Sequence, residues 1–480
     1  MNAFAREAAE TKEAEEAKMG RTAWMAIGGV VALGALLFGV LSTGARARPA
    51  SSPAPQDWFK TGTGLGVQKV KLALPDFGAA NAATKPLEQF FDQVLWNDLE
   101  YSGIIQMVSK SFYPTPSSWP TQPTQLAGQQ QQWTQPPASA QMIALGNLTA
   151  AGTNLSASGW LEDLTNTSAP PMLAKIYQGA ATEEGARELA HELANDIITL
   201  LGGGVPSITQ SHIVYSHQIG NIIELWVMDY DGANARQITH LGTESFMARW
   251  SPDASQIAFT CYERYRHVLN AQICRYSMIT NTVLHFPQFP GANWAPAWSP
   301  NGAELAFSSS MRGPTEIYET NANGTDPKQL TFAPRAVNTS PVWNPKTGQQ
   351  IVFVSDRGGL PGLYEMNADG SNVVKIDLPD MGYVVDPTWS PNGYLLAFSW
   401  RRPNGNYDLY VMDLSTHQLL QLTHDAGRNE RPSWAPDGRH LVFQSDRTGT
   451  GEIWTMLADG SGLRQLTHSG KNLSPNWSWK

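Results

Sequence analysis

Trp250-Ser-Pro-Asp, Trp298-Ser-Pro-Asn-Gly, Trp343-Asn-Pro-Lys, Trp389-Ser-Pro-Asn-Gly and Trp434-Ala-Pro-Asp-Gly are five copies of one motif, and Trp477-Ser-Trp is a sixth, partial copy. The tryptophans lie 48, 45, 46, 45 and 43 residues apart. That period is one four-stranded blade per repeat, the signature of a β-propeller. After each turn comes a short apolar run, as in Leu305-Ala-Phe307, Ile351-Val-Phe353, Leu395-Leu-Ala-Phe398 and Leu441-Val-Phe443. A second run follows, as in Ile317-Tyr318, Leu363-Tyr364, Leu409-Tyr-Val-Met412 and Ile453-Trp454. Most second runs lead into turns (Asn323-Gly324, Asp369-Gly370, Asp459-Gly460) whose residues accept the positive φ of tight hairpins.

Residues 212–240 carry the later-blade features, Leu225-Trp-Val-Met-Asp-Tyr-Asp-Gly232 and Gln237-Ile-Thr-His240, without a preceding tryptophan motif. Leu473-Ser-Pro-Asn-Trp477 is a first strand with nothing after it. The two fragments complete one blade, giving six blades whose ends interlock, and closure removes the exposed sheet edges that invite aggregation.

The chain of 480 residues is 41% hydrophobic and holds 17 Trp, enough apolar material for more than one domain. A net charge of −9, with no basic cluster beyond Arg401-Arg402, argues against nucleic acid as a partner. Residues 22–41 are almost wholly apolar, follow Lys18 and Arg21, and precede Ala45-Arg-Ala47, a small-x-small cleavage pattern. The chain is therefore expected to be exported. About 20 apolar residues also suffice for a span, so an uncleaved inner-membrane anchor competes with a cleaved signal peptide. The two cysteines, Cys261 and Cys274, fall on paired strands of one blade, symmetric about its hairpin. A cross-strand disulfide is expected, with two separate buried thiols as the alternative.

Arg48 to Gln56 reads as a Pro/Ser-rich linker. Beyond it, Val67 to Leu74 alternates as a strand, and Leu87, Phe90, Phe91, Val94 and Leu95 have helical spacing within 86–99. Met142 to Leu148 and Leu155 to Leu161 suggest further strands. Glu183 to Leu201 is an amphipathic helix stopped by Gly202-Gly-Gly204. Tyr113 to Gln141, rich in Pro, Gln and Thr, reads as a long surface loop carrying Trp119 and Trp133. The expected class is α+β multidomain: residues 1–47 signal peptide or anchor, 48–66 linker and N-terminal strand, 67–205 a small α/β domain, and 206–480 a six-bladed β-propeller closed by the C-terminal strand.

Glu224-Leu-Trp-Val-Met-Asp-Tyr-Asp-Gly-Ala-Asn234 followed by Arg236-Gln-Ile-Thr239 resembles the first blade of the TolB family. Lys71-Leu-Ala-Leu-Pro-Asp-Phe77, Asp98-Leu-Glu-Tyr-Ser-Gly103 and Ala190-His-Glu-Leu-Ala-Asn-Asp-Ile197 resemble, in order, that family's N-terminal domain, so the resemblance covers roughly residues 57–480. It implies a non-enzymatic, monomeric periplasmic scaffold of the Tol-Pal system, which keeps the outer membrane intact during cell constriction. It also implies that the propeller binds the lipoprotein Pal and that the N-terminal segment, here including Asp57, Trp58, Phe59 and Lys60, contacts TolA. Other outer-membrane proteins are further partners on this reading. The Pro-rich leader and long apolar segment depart from the family pattern. If the anchor stays, the linker must supply the reach. Residues 57–66 would either pack back on the protein or extend to add a strand to TolA.

The residue five positions before each motif tryptophan is Asn293, Asn338, Asn429 or Asn472 in four blades, and Ser245 or Val384 in the others. These are expected where the chain enters each innermost strand, ringing one channel mouth and offering amides to a partner's loop. The competing reading is that each Asn satisfies its own turn backbone. Trp294, Arg335, Arg428 and Glu430 flank the ring as candidate anchors.

The motif tryptophans read as blade-to-blade core. The Asp-Gly turns lack the spaced ligands of a calcium loop, and His240, His424 and His468 belong to separate blades, so no metal or other cofactor is expected. An enzyme is the main rival class. It lacks a Gly-x-Ser-x-Gly elbow, and His191-Glu192 has Asn195 where a zinc-protease motif needs its second histidine. Sugar or peptidoglycan binding at the channel mouth is the third reading, with a hydrolase accessory domain a weaker one.

Overall fold

A computed structural model describes residues 65, 68–115, 119–166, 169–379, 382–402, 405–424 and 426–479. The apolar segment, the linker and Asp57 to Lys60 lie outside the described residues. Among the described residues no helix is long and apolar enough to cross a membrane.

The N-terminal region runs β1 (Val70–Ala73), β2 (Gly78–Ala79), α1 (Lys85–Tyr101), β3 (Ile105–Met107), β4 (Met142–Ala151), β5 (Asn154–Asp163), β6 (Leu173–Ala180) and α2 (Glu183–Leu201). Its sheet has the order β3-β1-β4-β5-β6, with β2 beside β4. The pairs from β1 to β3 and β4 are parallel, and those from β4 through β6 are antiparallel. Pro86 sits in the first turn of α1, where its missing N–H costs nothing. Thr182 caps α2 by accepting the Gly185 N–H at 3.0 Å, and Gly202 closes it by donating to the Ile198 carbonyl at 2.8 Å. Phe91, Leu95 and Leu99 of α1 and Leu189, Leu193 and Ile197 of α2 are buried with Leu72, Leu148 and Leu161 of the sheet.

Residues 113–141 differ from the expected surface loop. Two short helical turns, Pro123–Leu126 and Gln130–Thr134, fold back on the sheet. Tyr113, Leu126 and Trp133 are buried there with Ala73, Ile143 and Leu145, and Trp119 packs against them. Irregular spacing of a few large apolar groups hid this second layer, because no helical or strand period marks it.

Helix α1 carries a buried carboxyl pair. Asp92 accepts the Phe77 N–H at 3.0 Å and shares the buried face of the helix with Glu88. Burial first, then the hydrogen bond and charge of Glu88, push the Asp92 carboxyl up to about 8. A carboxyl raised in the folded state holds its proton after the unfolded chain has lost its own. Stability therefore falls as pH rises from about 4 to about 8. Asp92→Asn is expected to abolish that slope and to gain about 1–2 kcal/mol above pH 8, read by urea denaturation across the range.

The remainder is six four-stranded sheets around one axis. Blades 1 to 5 begin with innermost strands Ser245–Trp250, Asn293–Trp298, Asn338–Trp343, Tyr383–Trp389 and Asn429–Trp434. Blade 6 is composite: Lys471–Trp477 pairs antiparallel with His212–Ile219, followed by Ile222–Asp229 and Arg236–Gln237. The motif tryptophans stitch neighbouring blades. The Trp298 indole donates to the Arg249 carbonyl at 3.1 Å, and that of Trp250 to the Asn476 carbonyl at 3.2 Å.

Cys261 and Cys274 form a disulfide, with Cα atoms 5.9 Å apart. They are not opposite in register as the symmetry suggested. Cys261 faces Gln272 and Cys274 faces Phe259, so the bridge is diagonal across the hairpin.

The N-terminal domain sits on the face bearing the Trp-Ala-Pro-Asp-Gly turn of blade 5, where Tyr101 meets His440, and the Asp229–Gly232 turn of blade 6, where Asp98 meets Tyr230. His191 Nδ1 lies 2.7 Å from Asp98, whose other oxygen accepts the Tyr230 hydroxyl, and burial raises the Asp98 carboxyl. Arg187 pairs with Asp231 at 2.6 Å and Asp229 at 3.4 Å. His191, read in sequence as a broken zinc-protease motif, is thus a residue of the domain interface.

Candidate functional site

The innermost strands of blades 1 to 5 each end in a Trp-x-Pro turn, that of blade 5 against the N-terminal domain, so the strand starts lie on the opposite face. There the axis opens into a funnel of about 580 Å³. Its wall is built from strand starts (Trp294, Thr339, Tyr383, Glu430) and from the hairpins after each second strand, such as Asp356 and Asp446 to Gly451. Each innermost strand carries a bulge just past its start, where the register with its neighbour shifts. A bulge re-aims the next side chain, here toward the axis.

The sequence-predicted ring is at this end, but its side chains do not face a partner. Ser245, Asn293, Asn338, Asn429 and Asn472 are all buried. Asn338 Nδ2 donates to Glu316 of the preceding blade at 2.7 Å, and Asn472 Nδ2 to Glu452 of the preceding blade at 2.8 Å. Asn293 reaches the carbonyls of the inter-blade loop at Phe289 and Gly291. On the acceptor side, Arg357 donates to Asn338 at 2.7 Å and Arg447 to Asn429 at 2.6 Å. Full satisfaction inside the sheet makes these amides staples between blades, and the reading of them as donors offered to a loop is corrected.

Trp294 lines the funnel with one edge but is otherwise buried, its indole donating to Thr339 at 3.0 Å. It is wall and not a protruding anchor. Arg335 is exposed and stands outside the funnel lining. Arg428 and Glu430 do line it, paired at 2.9 Å, with Arg428 over the Tyr407 ring at 5.2 Å. Burial, then the Glu430 charge, lift the Tyr407 hydroxyl to about 12, so it remains a neutral donor.

The residues missed are Tyr383, Tyr407, Asp386, Arg431 and Lys471. A usable signal existed for two of them. The positions one and two beyond each ring residue, as in Val385-Asp386 and Glu430-Arg431, are the ones a bulge turns into the channel. His240, His424 and His468 are exposed on separate blades.

Residues 203–385 and 379–480 match the family model described as the TolB beta propeller domain. A protein TolB homolog of Chlorobium chlorochromatii is 30% identical over 202 residues, 42% of this chain and 43% of that protein. A Tol-Pal system protein TolB of Nitrosomonas europaea is 33% identical over 119 residues, 25% of this chain and 27% of that protein. The matched segments thus span less than half the length of these relatives. The crystal structure of TolB from Acinetobacter baumannii superposes with a TM-score of 0.71 at 22% identity, covering 86% of this chain and 97% of that one, a likeness of fold.

Proposed function

Because this chain belongs to the TolB family, we propose that it is a non-catalytic envelope adaptor of the Tol-Pal system, exported to the periplasm, that docks Pal in the propeller funnel and meets TolA through its N-terminal segment. The same reading assigns it a part in outer-membrane integrity and in envelope constriction at division. The observation that carries it is the funnel's position and chemistry. It opens on the face that the N-terminal domain leaves free, and it presents aromatic, guanidinium and carboxylate groups of the kind that anchor protein interfaces. Trp119 and Trp133 lend the peptidoglycan reading no support, since Trp133 is core and Trp119 is packed beside it.

Arg428 and Tyr383 are the substitutions of choice because both are partly exposed at the rim. The double variant Arg428→Ala/Tyr383→Ala is expected to weaken Pal binding by roughly 10-fold or more with the melting temperature nearly unchanged. Calorimetric titration with purified Pal reads the affinity. Capture of the tagged protein from its own envelope, with mass spectrometry of its N-terminus and partners, reads the system. Absence of both Pal and TolA from that capture would sink the proposal.

A further inference from the structure

Three residues before each motif tryptophan stand Met247, Ala295, Ser340, Asp386, Arg431 and Ser474, and every one has a positive φ between 51 and 56°. Left-handed backbone in non-glycine residues persists only where the surroundings over-determine it. Here hydroxyls and an amide of the preceding blade do so. Thr260 accepts the Ala295 N–H at 3.1 Å, Ser308 that of Ser340 at 3.1 Å, Ser399 that of Arg431 at 3.0 Å, and Gln444 that of Ser474 at 2.8 Å. The result is a ring of six side chains around a cavity at the funnel's floor, of about 20 Å³, with proline side walls and Arg249 as a further polar neighbour.

Charge in this ring is unbalanced. Arg249 and Arg431 supply +2 and Asp386 supplies −1, leaving +1. No ion pair joins Asp386 to either arginine among the described residues; its carboxylate accepts the Ser399 hydroxyl at 3.3 Å. Arg249 donates to the Ala248 carbonyl at 3.0 Å and Arg431 to the Ser474 hydroxyl, so each guanidinium keeps N–H groups without a protein acceptor. Burial, with the nearby Arg431 charge, pulls the Arg249 guanidinium down to about 10 despite the opposing charge of Asp386. Two guanidiniums facing one narrow, mostly polar-lined space against a single carboxylate favour a bound counter-charge.

We propose that the floor of the funnel is a binding site for one small monovalent inorganic anion of chloride size, held on the propeller axis between Arg249 and Arg431. The small volume selects a single particle about the size of a water molecule, which excludes sulfate, phosphate and a carboxylate borne on a chain. The site is independent of the docking proposal, since it needs no partner.

Thermal melts of the full chain in sodium chloride and in sodium gluconate at equal ionic strength test it, with sodium bromide as the heavy-atom probe in crystals. Chloride is expected to raise the melting temperature by about 2 °C or more over gluconate, saturably. An anomalous bromide peak is expected between the two guanidiniums. Both effects disappear in Arg249→Met, and Arg431→Gln provides a second variant if the first fails to fold. The readout is the difference between salts, so a change in intrinsic stability does not enter. Equal chloride dependence in wild type and variants overturns the proposal, and so does a bromide peak without any chloride dependence, which would be an adventitious ion only.

Discussion

Truncation at Gly470, removing the strand Lys471–Trp477, is expected to leave a chain without a cooperative unfolding transition. Trp477 is 1% exposed. Its indole donates to Ser211 at 2.7 Å and its backbone N–H to Ser433 at 3.0 Å. The same strand accepts the Trp250 indole at Asn476 and pairs along His212–Ile219. Loss of the tryptophan alone is worth about 3–5 kcal/mol, and the ladder and both blade contacts go with it. Set against a total stability on the order of 5–15 kcal/mol, the remainder cannot hold a closed ring, and His212–Ile219 becomes a bare edge. Circular dichroism melts of the truncated chain and of Trp477→Ala provide the measurement. A cooperative melt of the truncated chain near the wild-type temperature would contradict closure by this strand.

The second large effect is expected at Asp437, in the Trp-Ala-Pro-Asp-Gly turn of blade 5. Its carboxylate accepts His440 Nδ1 at 2.7 Å, Arg439 Nε at 3.3 Å, and the Arg439 N–H at 2.9 Å. His440 Nε2 faces the Tyr101 carbonyl of α1 at 2.8 Å, so both ring nitrogens meet acceptors and the pair links the two domains. Burial by itself would raise the Asp437 carboxyl, but the charge and hydrogen bond of His440, and then Arg439, override it and hold it at about 2. A depressed carboxyl stabilises the fold above its unfolded value near 4, and the contribution is lost as pH falls through about 2. Asp437→Ala leaves the buried Arg439 guanidinium uncompensated and is expected to cost about 3–5 kcal/mol at neutral pH. It should also flatten the acid limb between pH 4 and 2, read by denaturant titrations at each pH. An unchanged acid limb would show that the carboxylate carries no such linkage.

The two effects lie in motifs that were legible as sequence, yet only one of their roles was. The repeat announced the blades and predicted that Leu473 to Trp477 closes the ring, because a fixed period and an orphan first strand have few geometric solutions. The domain-bridging role of Asp437 was invisible, since His440 is its neighbour in sequence while Tyr101 is more than 300 positions away.

For the site, the sequence placed the asparagines at the starts of the innermost strands and left two jobs open, a partner's loop or the local backbone. Periodicity tells where a side chain begins, but whether Asn338 turns to a partner or to Glu316 depends on a carboxylate brought beside it by blade packing. The bulge is similar. Nothing in the letters of Val385-Asp386 or Glu430-Arg431 announces a left-handed residue, and the hydroxyl of Ser399 that holds Arg431 comes from another blade. The excursion at residues 113–141 lacks a period altogether, so its buried Trp133 emerged only once the sheet face it covers existed.

The sequence by itself determined the blade count, the interlocked closure, the two long helices and the family. All of these rest on local period, turn chemistry and motifs contiguous along the chain. Tertiary structure alone decided which face the N-terminal domain covers, which funnel residues are free, and that Arg249, Asp386 and Arg431 meet on one axis. Those are relations between groups far apart in sequence, fixed by closing six sheets around a common centre.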